Sequence, residues 1–235
     1  MKLLEQILLK QDVHLSEKQK GQFDIYFQKL IEWNKKMNLT AITDEKEVAV
    51  KHFYDSLTPS FYFSFQGPLH ICDVGSGAGF PGVPLKILFP EMELTIVDSL
   101  NKRLIFLQAL TESLQMSGVT LCHDRAENFA RKAGKRESFD VVIARAVANF
   151  SVLSEYCLPL VLPGGEFIAL KGPRSEEELE LAGHAIDLLG GKLDRKVSLV
   201  LPEEDSRRNI FFIRKIGETP HKYPRKPGIP AKNPL

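Results

Sequence analysis

Apolar and polar positions divide the chain into a helical first quarter and a long stretch where short apolar runs alternate with helical patterns. In the first part Phe23, Tyr26, Phe27, Leu30, Ile31 and Trp33 recur at near-helical spacing, a stripe that needs a surface to cover it. Ser16 with Gln19 reads as a capping box ahead of that helix, and Asn38-Leu39-Thr40 ends it. Asp44 with Glu47 marks another helix start, followed by the aromatic-rich run His52-Phe53-Tyr54-Asp55-Ser56-Leu57. Residues 1–60 are therefore expected to be a helical extension packed as a cap on the rest; a second reading has the 52–57 run also wall a substrate cleft.

From Leu69 the pattern changes. Apolar runs at 69–74, 94–97, 119–122, 139–144 and 167–170 read as short buried strands. Helical stretches lie between them, notably 101–116, where Leu104, Leu107, Leu110 and Leu114 share a face and Gly118 supplies the stop. Such alternation predicts a parallel sheet with helices on both faces. A helix over 175–189, closed by Gly190-Gly191, precedes β-rich runs at 196–201 and 210–216. Only eight residues separate those two runs, a spacing that suits an antiparallel hairpin at the sheet edge. The α/β domain is thus placed at 61–217 and a basic, proline-rich tail at 218–235, its last part, 220–235, extended or disordered.

Composition narrows the picture only in places. The formal net charge of +1 excludes a uniformly basic nucleic-acid binder, but residues 214–235 hold Arg214, Lys215, Lys222, Arg225, Lys226 and Lys232 against Glu218 alone. Glu176, Glu177, Glu178 and Glu180 read as a solvated helix start. Cys72, Cys122 and Cys157 are widely spaced in apolar runs, which argues for small core residues in a reducing cytoplasm rather than a disulfide or zinc site. No metal site, signal peptide or membrane span is expected, since no apolar run approaches ~18 residues.

The candidate chemistry begins at the first strand. Asp73-x-Gly75-x-Gly77-x-Gly79 follows it directly, with Gly82 just beyond and a helix expected near Pro81. Glycines stand where a backbone takes positive φ or approaches a ligand closely. Gly77-x-Gly79-x-x-Gly82 matches the dinucleotide fingerprint literally. The alternation from Asp73, however, resembles the first motif of class I methyltransferases, in which the acid and the loop backbone hold the methionine and ribose parts of S-adenosylmethionine. A tight turn without a ligand is the structural alternative. Asp98 ends the second strand, 23 residues after Gly75, where an acid bonds ribose hydroxyls in both kinds of site; its alternative is a helix N-cap, a place Ser99 could fill. Asp124-Arg125-Ala126-Glu127 follows the third strand, at the usual place for adenine.

Ala144-Arg145-Ala146 ends the fourth strand, where methyltransferases acting on exocyclic amines carry an Asn/Asp-Pro-Pro-aromatic loop. Cys157, within an apolar helix, does not suit the nucleophile of a pyrimidine-carbon methyltransferase. An acceptor with its own lone pair, such as guanine N7, needs neither device. Arg145 can position but cannot act as a base, and a structural pairing with a helix carboxylate is its alternative.

Trp33-Asn34-Lys35, Asn38-Leu39-Thr40, His52 to Leu57, Asp73 to Pro84, Val97-Asp98-Ser99, Lys102-Arg103, Ala144-Arg145-Ala146 and Ala169-Leu170-Lys171-Gly172 occur in one order. Together they resemble the 16S ribosomal RNA guanine-N7 methyltransferases, the glucose-inhibited division protein B family. The resemblance implies a class I S-adenosylmethionine-dependent methyltransferase fold: α/β, Rossmann-like, a seven-stranded mostly parallel sheet with a terminal antiparallel hairpin. It implies S-adenosylmethionine as cofactor, contacted by Gly75, Phe80, Ala126, Glu127 and Arg145, beside Asp73, Gly77, Gly79 and Asp98 from the motif. It also implies a guanine in the decoding-region RNA of the small ribosomal subunit; Lys171, Arg207, Arg225 and Lys226 are the candidates to meet that RNA, the cysteine usage points to the cytoplasm, and a monomer is favoured with the oligomeric state open. A nicotinamide oxidoreductase would share the first βα unit and Asp98, and a non-catalytic RNA-binding protein would share the basic tail; both stand as alternatives.

Overall fold

The strands of the α/β stretch are too apolar to leave either face to water, so helices must cover both. The computed structural model, which describes residues 1–173 and 175–235, shows this arrangement. The chain opens with α1 (Lys2–Leu9) and α2 (Glu17–Met37), the latter started by the expected capping box between Ser16 and Gln19. A continuous helical segment follows: α3 (Glu45–Glu47), a π-helical stretch (Val48–Tyr54), α4 (Asp55–Leu57) and a 3-10 turn (Thr58–Phe61). Strands β1 (His70–Val74), β2 (Glu93–Asp98), β3 (Val119–His123), β4 (Phe139–Arg145) and β5 (Val161–Lys171) then alternate with α5 (Gly82–Leu88), α6 (Asn101–Ser113), α7 (Ala126–Phe129) and α8 (Phe150–Cys157). After α9 (Ser175–Leu188) come β6 (Gly191–Val200), β7 (Arg207–Lys215) and a last turn of helix, α10 (Ile229–Lys232).

The sheet order is β3-β2-β1-β4-β5-β7-β6, with the first five strands parallel and β7 antiparallel to both its neighbours. Strand order reverses between β1 and β4, which opens a crevice at the carboxyl ends of those strands. The expected class I arrangement, hairpin included, is therefore the one observed.

Two apolar layers flank the sheet. On one face Phe23, Tyr26, Leu30 and Phe53 of the N-terminal helices share a core with Ile71, Ile143 and Phe212. Residues 1–60 thus cover the sheet alongside α5 and α6. On the other face Phe150, Leu153 and Ile186 pack against Cys72, Val142 and Phe211.

Two expectations differ. The β6 strand starts five residues before the apolar run, because its first half is an exposed edge whose polar side chains carry no apolar signal. The tail is neither extended nor disordered. Its carbonyls at Thr219, Lys222, Tyr223 and Pro224 accept from Arg131 and Arg136, and Tyr223 is buried beside Phe129 and Ala130. Lys215 and Arg225 are engaged within the protein as well, the second half-buried. The Lys215 ammonium has no exposure and donates to the Leu158 carbonyl, and Arg225 forks onto Glu155, which is fully buried.

Candidate active site

The loops that follow β1, β2, β3 and β4 enclose a cavity of about 440 Å³ at the carboxyl edge of the sheet. Gly75, Gly77 and Phe80 come to it from the first loop, Asp98 from the second, Ala126 and Glu127 from the third, and Arg145 from the fourth. These seven are the expected cofactor residues that the fold brings together.

Asp73 and Gly79 stand behind the wall instead. The Asp73 carboxylate has no exposure; Oδ2 accepts the Gly82 amide at 2.8 Å, while Oδ1 has no partner among the described residues. Burial, partly opposed by the Ser76 hydroxyl and by that amide, pushes its pKa up to about 6. Gly79 has a φ of +99°, and a Cβ there would lie 2.5 Å from the Tyr26 hydroxyl. That hydroxyl donates to the Ala78 carbonyl at 2.6 Å, so α2 is pinned to the glycine loop at a point where only glycine leaves room.

Asp98 stands in the cavity wall at the end of β2, and its carboxylate ties loops together rather than capping α6, whose N-cap is Leu100. Oδ1 accepts the Leu100 amide at 2.9 Å, and Oδ2 accepts Gly77 N–H at 3.1 Å and Arg103 Nη1 at 3.2 Å. Beside it Ser76, also in the wall and 3 % exposed, faces the Asp73 carboxyl with its hydroxyl and helps to hold that group's pKa down. Gly75 and Gly77 take φ values of +73° and +62°, so this stretch of wall is bare backbone that a ligand can approach closely.

Arg145 pairs with a helix carboxylate, as its structural alternative anticipated, and borders the cavity too. Nη1 donates to Asp55 Oδ2 at 3.0 Å and lies 3.4 Å from the carbonyls of Lys51 and His52. Among the described residues Nε and Nη2 have no acceptor. The guanidinium sits over the Phe80 ring, 5.0 Å from its centroid, and Phe80 is stacked between His52 and Tyr26. Burial, reinforced by the Arg145 charge, pushes the His52 pKa down to about 4, and its Nε2 meets Thr40 Oγ1 at 2.8 Å.

A second cavity of about 620 Å³ adjoins the first, and both are bordered by His52, Arg145 and Ala146. Its other walls include Lys51, Asp55, Lys171 and Arg208. Lys171 is held there by the Ala148 carbonyl and Glu178, each at 2.7 Å. Arg207, at the exposed start of β7, and Lys226, exposed on the tail, border neither cavity; Arg225 is bound up with Glu155. Sequence reasoning singled out the run 52–57 but not which of its members face the site. The i, i+3 spacing of His52 and Asp55 was the available signal. Thr40 and Tyr26 gave none that distinguishes them from cap and core. No helix is long and apolar enough to cross a membrane among the described residues.

Residues 19–210 match the model of the family described as rRNA small subunit methyltransferase G. Proteins called ribosomal RNA small subunit methyltransferase G from Bacillus cytotoxicus and Bacillus cereus are each 55% identical over 231 residues, covering 98% of this chain and 97% of theirs. Among solved structures, a ribosomal protein L11 methylase from Lactobacillus delbrueckii subsp. bulgaricus superposes with a TM-score of 0.55 at 15% identity, over 71% of this chain and 80% of that one. A 16S rRNA (adenine(1408)-N(1))-methyltransferase variant with cosubstrate SAM, from Catenulisporales acidiphilia, gives 0.53 at 14% identity over 66% and 88%. These structural likenesses bear on the fold.

Proposed function

The chain belongs to the rRNA small subunit methyltransferase G family, and we propose that its first cavity holds S-adenosylmethionine while the second receives the guanine to be methylated at N7. The observation that carries this reading is the shared border: a donor in one cavity and an acceptor in the other meet at His52, Arg145 and Ala146. When bound, S-adenosylmethionine supplies a methyl group activated by a cationic sulfur. The Gly75 and Gly77 backbone faces its amino-acid end, Asp98 its ribose, and Ala126 with Glu127 its base. A carboxylate has lone pairs to spare, so Asp98 can keep Gly77 and Arg103 while accepting a ribose hydroxyl. Asp73 and Gly79 support the loop from behind.

Guanine N7 carries an in-plane lone pair on the edge that also bears O6. Nothing has to remove a proton first, and the shared border fits that chemistry. Arg145 stays protonated at any working pH, and His52, at about 4, is a poor base near neutrality. Arg145 Nε and Nη2 remain to donate to O6 or to a cofactor carboxylate. Rate then comes from alignment, which can lower a barrier by about 7–11 kcal/mol. Lys171, Arg207 and Lys226 are the proposed phosphate contacts on the decoding-region RNA of the small subunit. Arg225 is withdrawn from that set because the fully buried Glu155 holds it, whereas Lys171 lines the second cavity and its partner Glu178 is partly exposed. A place in the cytoplasm completes the reading, supported by three cysteines that are all free thiols, with a monomer as the simplest state.

Labelled methyl transfer to unmodified small-subunit RNA, followed by nucleoside analysis, tests it. We expect 7-methylguanosine as the labelled product. Label on an exocyclic amine or on a pyrimidine carbon would overturn the acceptor assignment.

A further inference from the structure

The third loop of the cofactor cavity stands on the C-terminal segment. Glu127 is 3 % exposed, and its Oε1 accepts the Gly228 amide at 2.9 Å across 101 residues of sequence. This is the one hydrogen bond that the Glu127 side chain receives among the described residues. Gly228 is held in place from both sides of the turn that carries Glu127. Arg131, just past α7, donates through Nε and Nη2 to the Pro224 carbonyl and through Nη2 to that of Lys222. The Arg225 amide, Nε and Nη2 all donate to Glu155 of α8, at distances between 2.6 and 3.1 Å. Tyr223 lies in the same apolar cluster as Ala126 and Phe129.

We propose that the C-terminal segment is a positioning element for the cofactor: Gly228 anchors one oxygen of Glu127 so that the other faces the cavity. The proposal rests on the reading that the first cavity holds S-adenosylmethionine. Two physical points support it. A four-residue helix such as α7 has too few internal hydrogen bonds to hold its own shape. A buried carboxylate that lost its only donor would turn toward solvent or into the cavity, and the turn would move with it. The same anchors separate this segment from a flexible RNA-binding arm, because the arginine nearest Gly228 and the surrounding carbonyls are already engaged within the protein.

Three substitutions in the full-length chain test the proposal. Gly228→Pro removes the N–H that Glu127 accepts and, because proline cannot take the Gly228 φ of +83°, also displaces that turn of the tail. Arg131→Gln loosens an exposed fastening, and Lys226→Gln removes an exposed tail charge without touching an anchor. The readouts are S-adenosylhomocysteine affinity by calorimetry, KM for S-adenosylmethionine and for RNA, kcat, and amide exchange over residues 124–130. For Gly228→Pro we expect dissociation constant and cofactor KM to rise about tenfold. The kcat at saturating cofactor and the RNA KM should hold, with faster exchange over 124–130 and the tail turn around Gly228 and not elsewhere. Arg131→Gln should move the same way by a smaller factor, and Lys226→Gln should leave cofactor affinity unchanged. Wild-type cofactor affinity in Gly228→Pro, or a rise in RNA KM alone, would overturn the proposal. Should Gly228→Pro lose its fold, Arg131→Gln decides on the same criteria. Failure of the underlying reading looks different: wild-type protein would then not bind S-adenosylhomocysteine, or Gly77→Val would bind it equally well.

Discussion

Arg145 joins the two cavities, and its geometry says what a substitution there should cost. One Nη1 is committed to Asp55 and two carbonyls, which fixes the plane of the guanidinium against Phe80 and leaves its other donors aimed outward. Arg145→Lys keeps the charge and loses the planar fork, so we expect methyl transfer to fall by about 10- to 100-fold, the cost of a misplacement near 1 Å, with the melting temperature little changed. Wild-type turnover in Arg145→Ala would remove Arg145 from the reaction. The sequence placed this residue correctly at the end of its strand but could not show its partner, because Asp55 lies 90 residues away and only the packed helices bring the two together. The same packing sets two opposed titrations. The folded Asp73, at about 6 against an ordinary 3.8, binds more protons than the unfolded chain does, so its contribution is lost as pH rises from about 4 to 6. The folded His52, at about 4 against 6.5, binds fewer, so its contribution is lost as pH falls through that range. Each amounts to on the order of 3 kcal/mol at full effect, and they largely cancel. His52→Asn should therefore leave a protein whose melting temperature falls between pH 4 and 6, and Asp73→Asn one whose melting temperature rises. Variants that keep the wild-type pH profile would show that these groups do not titrate as described.

The second helix acts on the site through one hydroxyl. Tyr26 is fully buried in the apolar stripe that the helical periodicity marked, yet its oxygen reaches the glycine loop at Ala78. Tyr26→Phe would leave that buried carbonyl without its donor, at a cost of about 1–3 kcal/mol, and we expect weaker S-adenosylhomocysteine binding by several-fold because the loop loses a pin. Denaturant unfolding and calorimetry on the variant measure both; if neither changes, the contact is idle. Elements with a strong local signal were legible: the capping box of α2, the leucine face of α6, and the strand–glycine–helix unit around Asp73. The π-helical stretch over Val48–Tyr54 was not, since no local propensity encodes its wider turn, and it turns the His52 ring onto Phe80 and its carbonyl toward Arg145. The first half of β6 and the short α10 escaped for the complementary reason. Both owe their conformation to partners across the fold, an edge ladder in one case and docked carbonyls in the other.

For the whole molecule, charge placement decides which basic residues are left for RNA. A net charge of +1 gives no global attraction to phosphate, so binding depends on local patches. Of the basic residues in 214–235, Lys215 and Arg225 are used inside the protein and Arg214 lies 3.3 Å from Glu166. Composition could not separate these from their neighbours, because a buried ammonium and a solvated one look alike in sequence. Lys222, Lys226 and Lys232 are exposed on a segment that the fold holds in place. Two substitutions of that segment should consequently behave in different ways. Arg225→Gln strands the Glu155 carboxylate in an environment with no exposure and should cost stability, about 3–5 kcal/mol, before it affects RNA binding. Replacing Lys222, Lys226 and Lys232 together by Gln keeps the hydrogen-bonded anchors and gives up only the Lys222 ammonium over the Tyr223 ring. It should weaken RNA binding regardless of sequence and make the slope of log K against log salt shallower, by about 0.7 for each single-strand phosphate that a lysine no longer neutralises. Cofactor affinity and melting temperature should hold in that triple variant. Titrations at several salt concentrations measure the slope, and an unchanged slope with unchanged RNA affinity would assign these lysines to solvent and move the RNA footprint to the Lys171 and Arg207 side of the sheet.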